Sequence, residues 1–360
     1  MENPYTGRTP YELNSIVIPA LTLESGEVLK EVELVYERTG RKGGPVVLIC
    51  HALTGNHLVK GTVGNEGWWD RLLGPGSYLD TDQYNVISFN VLGGNDGSTG
   101  PASIDPSTGE PYGRNFPRIT VRDMVNAQYL ALKELSITHL HAVIGGSLGG
   151  MQALEWGMMH PASTDKVFAL AVTPTLGDYG LAFNHIGITA IESDPDYQKG
   201  NYSPGSRLKG LEMARMVGMV TYRTPTLFDD RFKREEAPTC FQVESYLDYQ
   251  GGKLAKRFDP NSYLTLLKAM NSHDVGRNRS GTLVSLAKNY GTELITIGYE
   301  GDLIYDPHKM ETFTNEVRRG RHYFISTSFG HDGFLVEFEK WGSIISSHLN
   351  DHRTKRVVNA

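Results

Sequence analysis

The 360 residues of this chain exceed twice the usual domain size, which points to one large α/β domain with an insertion, or to two domains, and excludes a disulfide-stapled mini-protein. At 39% hydrophobic and 21% charged residues, the composition can build a substantial core and carries no low-complexity tract of the disordered kind. The net charge of −6 comes from interspersed signs without a dense Lys/Arg run, so nucleic acid is not an expected partner; Cys50 and Cys240, far apart, fit a reducing cytosol and offer no metal-ligand spacing.

The opening MENPYTGRTPYELN lacks the order of a secretory signal, and apolar runs such as VFALAV at 167–172 are far shorter than a membrane span, so a cytoplasmic protein without membrane contact is expected. In chain order, short β-branched runs stand out at 46–50 (VVLIC), 84–89 (YNVISF), 140–144 (LHAVI), 167–172, 294–297 (LITI) and 322–325 (HYFI). Near-continuous apolar runs of this kind belong to strands buried on both faces of a mostly parallel sheet. Between them, 120–135 has the spacing of an amphipathic helix, with Val121, Met124, Val125, Leu132 and Leu135 on one side, and 148–160 reads as a helix stopped by Pro161. Strand, helix and strand in alternation predict a doubly wound α/β fold.

Two stretches exceed a minimal version of that fold. Residues 93–118 hold six glycines and four prolines, too many for helix or strand, and read as an ordered loop at the rim of an active site. Residues 173–287 lack a comparable strand run and carry helical patterns at 206–222, 242–249 and 260–270. The expected organisation is a core of 1–172 and 288–360 with a helical lid domain at 173–287.

Gly145-Gly146-Ser147-Leu148-Gly149 matches G-x-S-x-G between a predicted strand and a predicted helix. In such a turn the glycines let the backbone bend tightly and lift the serine hydroxyl above the carboxyl end of the sheet, where open α/β sheets place ligands. A serine needs a base, and the base a carboxylate to orient it. In α/β-hydrolase folds the chain order is Ser, acid, His, with the last two following late strands. Asp302 follows the strand at 294–297 and His331 the strand at 322–325, with Glu300 and Asp306 ranked behind Asp302 for the acid. His322 and His308 read as structural. For the oxyanion, the expected donors are the backbone N–H groups of Leu148 and of Leu53, in the loop His51-Ala52-Leu53-Thr54-Gly55. His51 itself reads equally as a turn-capping imidazole or as a catalytic group.

Taken together, ICHALTGNHL (49–58), NVLGGNDGSTGPASIDPSTGEPYGRNFPRITVRDMV (90–125), GGSLGGMQALEW (145–156), LEMARMVGMVTYRT (211–224) and FGHDGFLVE (329–337) resemble the homoserine O-acetyltransferases. The resemblance implies an α/β-hydrolase core with a helical lid, a homodimer formed through lid helices, and ping-pong transfer from acyl-CoA to L-homoserine in methionine biosynthesis, with acetyl-CoA as a substrate and no cofactor or metal. By resemblance Ser147, Asp302 and His331 form the triad, Arg215 takes the homoserine carboxylate with Tyr222 beside it, and Asp332 takes the amino group. Seven residues are close to two helical turns, so Arg215 and Tyr222 share a face, and a planar guanidinium suits a carboxylate. Asn95-Asp96, Asn56-His57 and Leu303-Ile304-Tyr305 depart from typical members near the predicted pockets. Succinyl donors, serine as acceptor, and a carboxylesterase or thioesterase on the same triad therefore stand as alternatives, together with a non-catalytic binding protein, which the complete triad opposes.

Overall fold

The structure is a computed structural model that describes residues 11–203 and 205–351. The first ten residues of the opening segment, and the outer ends of the two expected core segments, lie outside them. Eight strands form the main sheet: β1 (Tyr11–Thr22), β2 (Val28–Gly40), β3 (Val46–Cys50), β4 (Asn85–Phe89), β5 (Leu140–Gly146), β6 (Thr164–Leu170), β7 (Glu293–Tyr299) and β8 (Gly320–Ile325). Their order is β1-β2-β4-β3-β5-β6-β7-β8. Strands β1 and β2 pair antiparallel, as do β2 and β4. Every pair from β4 to β8 is parallel.

The period-2 geometry of a strand divides each apolar run between the two faces. Val47 and Ile49 of β3 join one core cluster with Ile144, Phe168, Ile297, Trp69 and Trp341. Leu48 and Cys50 join the other, with Met124, Met151, Leu154 and Trp156. That second layer is built by α1 (Val121–Glu134) and α2 (Leu148–Met159). The α1 start is fixed by a capping box: Thr120 accepts from the Asp123 N–H, and the Asp123 carboxylate accepts from the Thr120 N–H at 2.8 Å.

Strands β1 and β2 were not anticipated, because charges interrupt their apolar runs: in β2 Lys30 and Glu31 are exposed, Glu33 is half-buried, and Glu37 is buried, accepting from the Val59, Lys60 and Gly61 amides. Strand β6 begins three residues before its expected start, taking in Thr164-Asp165-Lys166, and ends at Leu170, where Ala171 turns to a φ of 46°.

Between β6 and β7 run α3 (Asp178–Glu192), α4 (Lys209–Thr221), α5 (Pro225–Phe232), α6 (Gln242–Ala255), α7 (Pro260–Asn271) and α8 (Leu283–Lys288). Helices α4, α6 and α7 cover the three patterns read in the sequence; α3, α5 and α8 are additional. Pro225 and Pro260 occupy first turns behind the caps Thr224 and Asp259, which is where a residue without an N–H is tolerated. The chain closes with α9 (Pro307–Glu316), α10 (Gly333–Val336) and α11 (Phe338–Leu349).

The segment 93–118 is ordered by hydrogen bonds rather than by secondary structure, apart from a short turn of 3-10 helix at 113–115. Ser98 and Thr99 accept from the Val35 and Glu33 amides of β2 at 3.0 and 2.8 Å, and Asn95 bridges to the Arg257 carbonyl and the Asp259 amide, both at 2.7 Å. No helix among the described residues is long and apolar enough to cross a membrane.

Candidate active site

Ser147 sits between β5 and α2 with φ 56° and ψ −123°, a conformation that a β-carbon disfavours and that surrounding structure must hold. The holding contacts are a bond from the Ser147 N–H to the Leu170 carbonyl at 3.0 Å and one from the Met151 N–H to the Ser147 carbonyl at 2.9 Å. The second flanking glycine answers a steric need: a β-carbon on Gly149 would stand 2.0 Å from the Cys50 carbonyl oxygen. The elbow can lie against β3 only because that atom is missing.

Asp302 follows β7 and His331 follows β8. His331 Nδ1 lies 2.8 Å from Asp302 Oδ2, with both side chains almost fully buried. The other carboxylate oxygen, Oδ1, accepts from the Ile304 and Tyr305 amides at 2.9 and 3.0 Å, so the carboxylate cannot swing away. Burial disfavours the imidazolium, but the Asp302 charge and hydrogen bond, with the Asp332 charge, outweigh it and raise the His331 pKa above its ordinary value. The rival acids are otherwise engaged. Glu300 accepts from Ser326, and Asp306 caps α9 through the His308 amide. His322 pairs with Thr296 and His308 with Glu311, away from the site.

Ser147 Oγ and His331 make no hydrogen bond to each other. Tyr305 borders both: its ring centroid is 5.2 Å from that of His331, and its buried hydroxyl approaches the Ser147 side chain without a well-directed bond. Apo sites commonly hold such pairs loosely and tighten them on binding. The two late loops are packed backbone to backbone, since Gly330, at φ 59°, would bring a β-carbon 3.0 Å from the Gly301 carbonyl.

Leu148 N–H opens α2 directly after Ser147, and Leu53 lines the same cavity as Ser147. Neither amide donates to a protein acceptor among the described residues, which leaves both available to a developing oxyanion. His51 resolves as a brace. Its Nε2 accepts from the Val91 N–H at 3.0 Å, which puts the proton on Nδ1 to donate to the Ala52 carbonyl at 2.8 Å. Burial holds its pKa down to about 4, so the ring is neutral. Behind this loop runs a buried amide chain that sequence reasoning did not find. Trp156 Nε1 donates to Gln128 Oε1 at 2.8 Å, Gln128 Nε2 to Gln152 Oε1 at 2.7 Å, and Gln152 Nε2 to the Leu148 carbonyl at 3.1 Å and the His51 carbonyl at 3.4 Å. Its only sequence signal is the glutamine inside GGSLGGMQALEW.

Tyr222, at the end of α4, lines the cavity with Ser147, and its ring lies 5.6 Å from His331. Arg215 lies with its guanidinium carbon 5.8 Å from the Tyr222 ring centroid and enters no ion pair among the described residues. Asp332 is brought alongside, but not free: Arg223 Nε lies 3.0 Å from its Oδ2, and its amide donates to the Tyr222 carbonyl at 3.0 Å. Arg223 is a site residue missed in the sequence, where it reads as one more charge after the helix.

An eight-stranded sheet in this order, a serine elbow after the fifth strand and a buried carboxylate–imidazole pair after the last two define an α/β-hydrolase-fold protein, and the α/β hydrolase fold family matches residues 45–245. A homoserine O-acetyltransferase of Carboxydothermus hydrogenoformans is 42% identical over 94% of this chain and 95% of its own length. The chain belongs to the homoserine O-acetyltransferase family. The crystal structure of homoserine O-acetyltransferase from Staphylococcus aureus is similar at 34% identity and a TM-score of 0.82, covering 96% of this chain and 98% of that one. Esterase E22 is similar at 26% identity and a TM-score of 0.87, covering 94% of this chain and all of that one.

Proposed function

We propose that this chain transfers the acetyl group of acetyl-CoA to the hydroxyl of L-homoserine through an acetyl-Ser147 intermediate, as a step of methionine biosynthesis. His331, oriented by Asp302, takes the Ser147 proton as Oγ attacks the thioester carbonyl. The Leu53 and Leu148 amides hold the oxyanion; the C–S bond then breaks, and the thiolate takes the proton from His331. Homoserine next gives its hydroxyl proton to His331, attacks the ester, and expels Ser147 Oγ, which recovers the proton. The reaction requires no further cofactor.

The observation that carries the acceptor assignment is Arg215, whose guanidinium, without an ion-pair partner among the described residues, lies against the ring of Tyr222, and Tyr222 lines the Ser147 cavity. An unpaired cation there suits an anionic acceptor; Asp332, whose Oδ1 lies beyond the Arg223 contact, suits its ammonium group. The helices of 173–287 act as the lid. Phe183, Val217, Leu267 and Met270 line a cavity of about 40 Å³, room for a water or two rather than an amino acid. Substrate must therefore part these helices, and their closure keeps water from the ester and holds the acceptor at high effective concentration. Exposed Tyr179, Ile186, Met213 and Val220 on α3 and α4 support a homodimer through the lid, in a cytoplasmic enzyme.

Initial rates with acetyl-CoA or succinyl-CoA, each against homoserine, serine and no acceptor, test the reading. Acetyl-CoA with homoserine should be fastest and should exceed hydrolysis by at least tenfold; hydrolysis as fast as transfer would assign an esterase instead.

A further inference from the structure

The phenol of Tyr305 is a polar group beside Ser147 and His331 that the mechanism above leaves unused. It is 2% exposed and its hydroxyl has no hydrogen-bond partner of good geometry. A buried hydroxyl in that condition is costly, which calls for an explanation at the position it occupies. That position touches all three members of the triad. The Tyr305 amide donates to Asp302 Oδ1 at 3.0 Å, its ring lies 5.2 Å from the His331 ring, and its hydroxyl faces the Ser147 side chain across their shared cavity.

Resting on the acetyl-serine reading, we propose that Tyr305 is a further catalytic residue, whose hydroxyl donates a hydrogen bond to Ser147 Oγ while that oxygen carries developing charge. Ser147 Oγ has a lone pair to spare whenever its own proton is directed at or held by His331. In acylation the Oγ–H bond breaks toward His331, the Oγ–carbon bond forms, and the thiolate leaves with the His331 proton. In transfer the Oγ–carbon bond breaks and its electron pair returns to Oγ. Charge builds on the same atom in both half-reactions, and a fixed donor there stabilises both transition states without giving up its own proton. Burial keeps the phenol protonated, so the donor is present at every working pH. The backbone tie to Asp302 and the ring against His331 fix where the hydroxyl points, which preorganises the donor.

The test is rapid-quench measurement, with purified full-length protein, of acetyl-Ser147 formation from acetyl-CoA and of its loss to water and to homoserine, for the wild type, Tyr305→Phe and Ser147→Ala. Tyr305→Phe keeps the ring and should slow both formation and loss at least tenfold while leaving the melting temperature and the Kd for acetyl-CoA unchanged. Rates within twofold of wild type in both half-reactions would overturn the assignment to Tyr305 alone. A wild type that gains no acetyl group on Ser147 would overturn the acetyl-serine reading and this proposal with it. Should the Phe variant fold poorly, 3-fluorotyrosine at 305, a stronger donor of nearly the same shape, decides: faster acylation supports the assignment, and an unchanged rate refutes it.

Discussion

Arg223 Nε sits 3.0 Å from Asp332 Oδ2, 109 residues away in sequence, and so ties the end of α4 to the residue that follows His331. The flanking residues repeat the tie: the Tyr222 carbonyl accepts from the Asp332 amide, and the Thr224 hydroxyl donates to the Ser328 carbonyl. Three consecutive residues of the helical segment thus grip the loop that carries His331. Removing a charge-assisted bond at this degree of burial costs about 1.5–3 kcal/mol of positioning. Arg223→Ala should lower kcat/KM for homoserine about tenfold or more while changing the rate of Ser147 acetylation by acetyl-CoA much less, as two-substrate kinetics will report.

The His331–Asp302 pair sets the pH response. A raised folded-state pKa means that the imidazole is free to act as a base only above that pKa, so the acidic limb of kcat/KM should lie above pH 6.5, the ordinary histidine value. In Asp302→Asn the attraction is lost while burial remains, so the limb should move to lower pH, and the plateau should fall by roughly 10³–10⁴. A pH–rate profile of both proteins checks the displacement and its direction.

Stability should respond to acid through other imidazoles. His51 is held at about 4 by burial, as is His160, where Lys133 adds repulsion. Between pH 6.5 and 4 the unfolded chain takes up protons that these folded sites refuse, so stability falls as pH drops through that window. His51, fully buried, contributes up to about 1.4 kcal/mol per pH unit. Urea unfolding at several pH values should show the loss, and His51→Gln should flatten the slope.

The elbow's packing predicts a severe substitution. Gly149→Ala places its new carbon against the Cys50 carbonyl, a backbone atom that cannot rotate aside. Overpacking of this kind costs about 1–3 kcal/mol or more, and here it also displaces the loop bearing Leu53. Thermal unfolding should show a melting temperature lowered by several degrees, with activity lost beyond what the stability change explains.

Glu155 on α2 is buried between Arg122 on α1, at 3.1 Å, and Arg279, at 2.6 Å. Arg122 and Arg277 also reach Glu24, at 3.2 and 2.6 Å. Taking out the central carboxylate leaves two guanidinium groups facing each other in a poorly hydrated place. Glu155→Ala should therefore destabilise by about 3–5 kcal/mol, read as a lower denaturation midpoint, with Glu155→Gln less affected.

Much of this protein is written in local sequence. The inner parallel strands announce themselves because both faces are covered and their apolar runs are unbroken, whereas the edge strand β8 buries only Ile325. G-x-S-x-G is legible because strand, tight turn and helix are contiguous, and the order Ser147, Asp302, His331 follows from which loops leave the carboxyl edge of the sheet. Strands β1 and β2 escape notice because their charges, exposed in Lys30 and Glu31 and buried in Glu37, break the apolar pattern. Helices α3 and α5, with most of their residues less than fully buried, give no sharp apolar stripe to read.

Only the tertiary structure decides which polar groups meet. The contact between Asp302 and His331, and the separate engagements of Glu300 and Asp306, exist only in the folded chain. Casting His51 as a brace required the Val91 amide, 40 residues on. The Arg223–Asp332 pair, the Gln128–Gln152 chain and the approach of Tyr305 to Ser147 join residues whose spacing carries no periodic signal. The physical reason is that hydrophobic burial is roughly proportional to area and leaves a pattern along the chain, whereas hydrogen bonds and ion pairs depend on distance and direction and exist only once packing has brought their partners together.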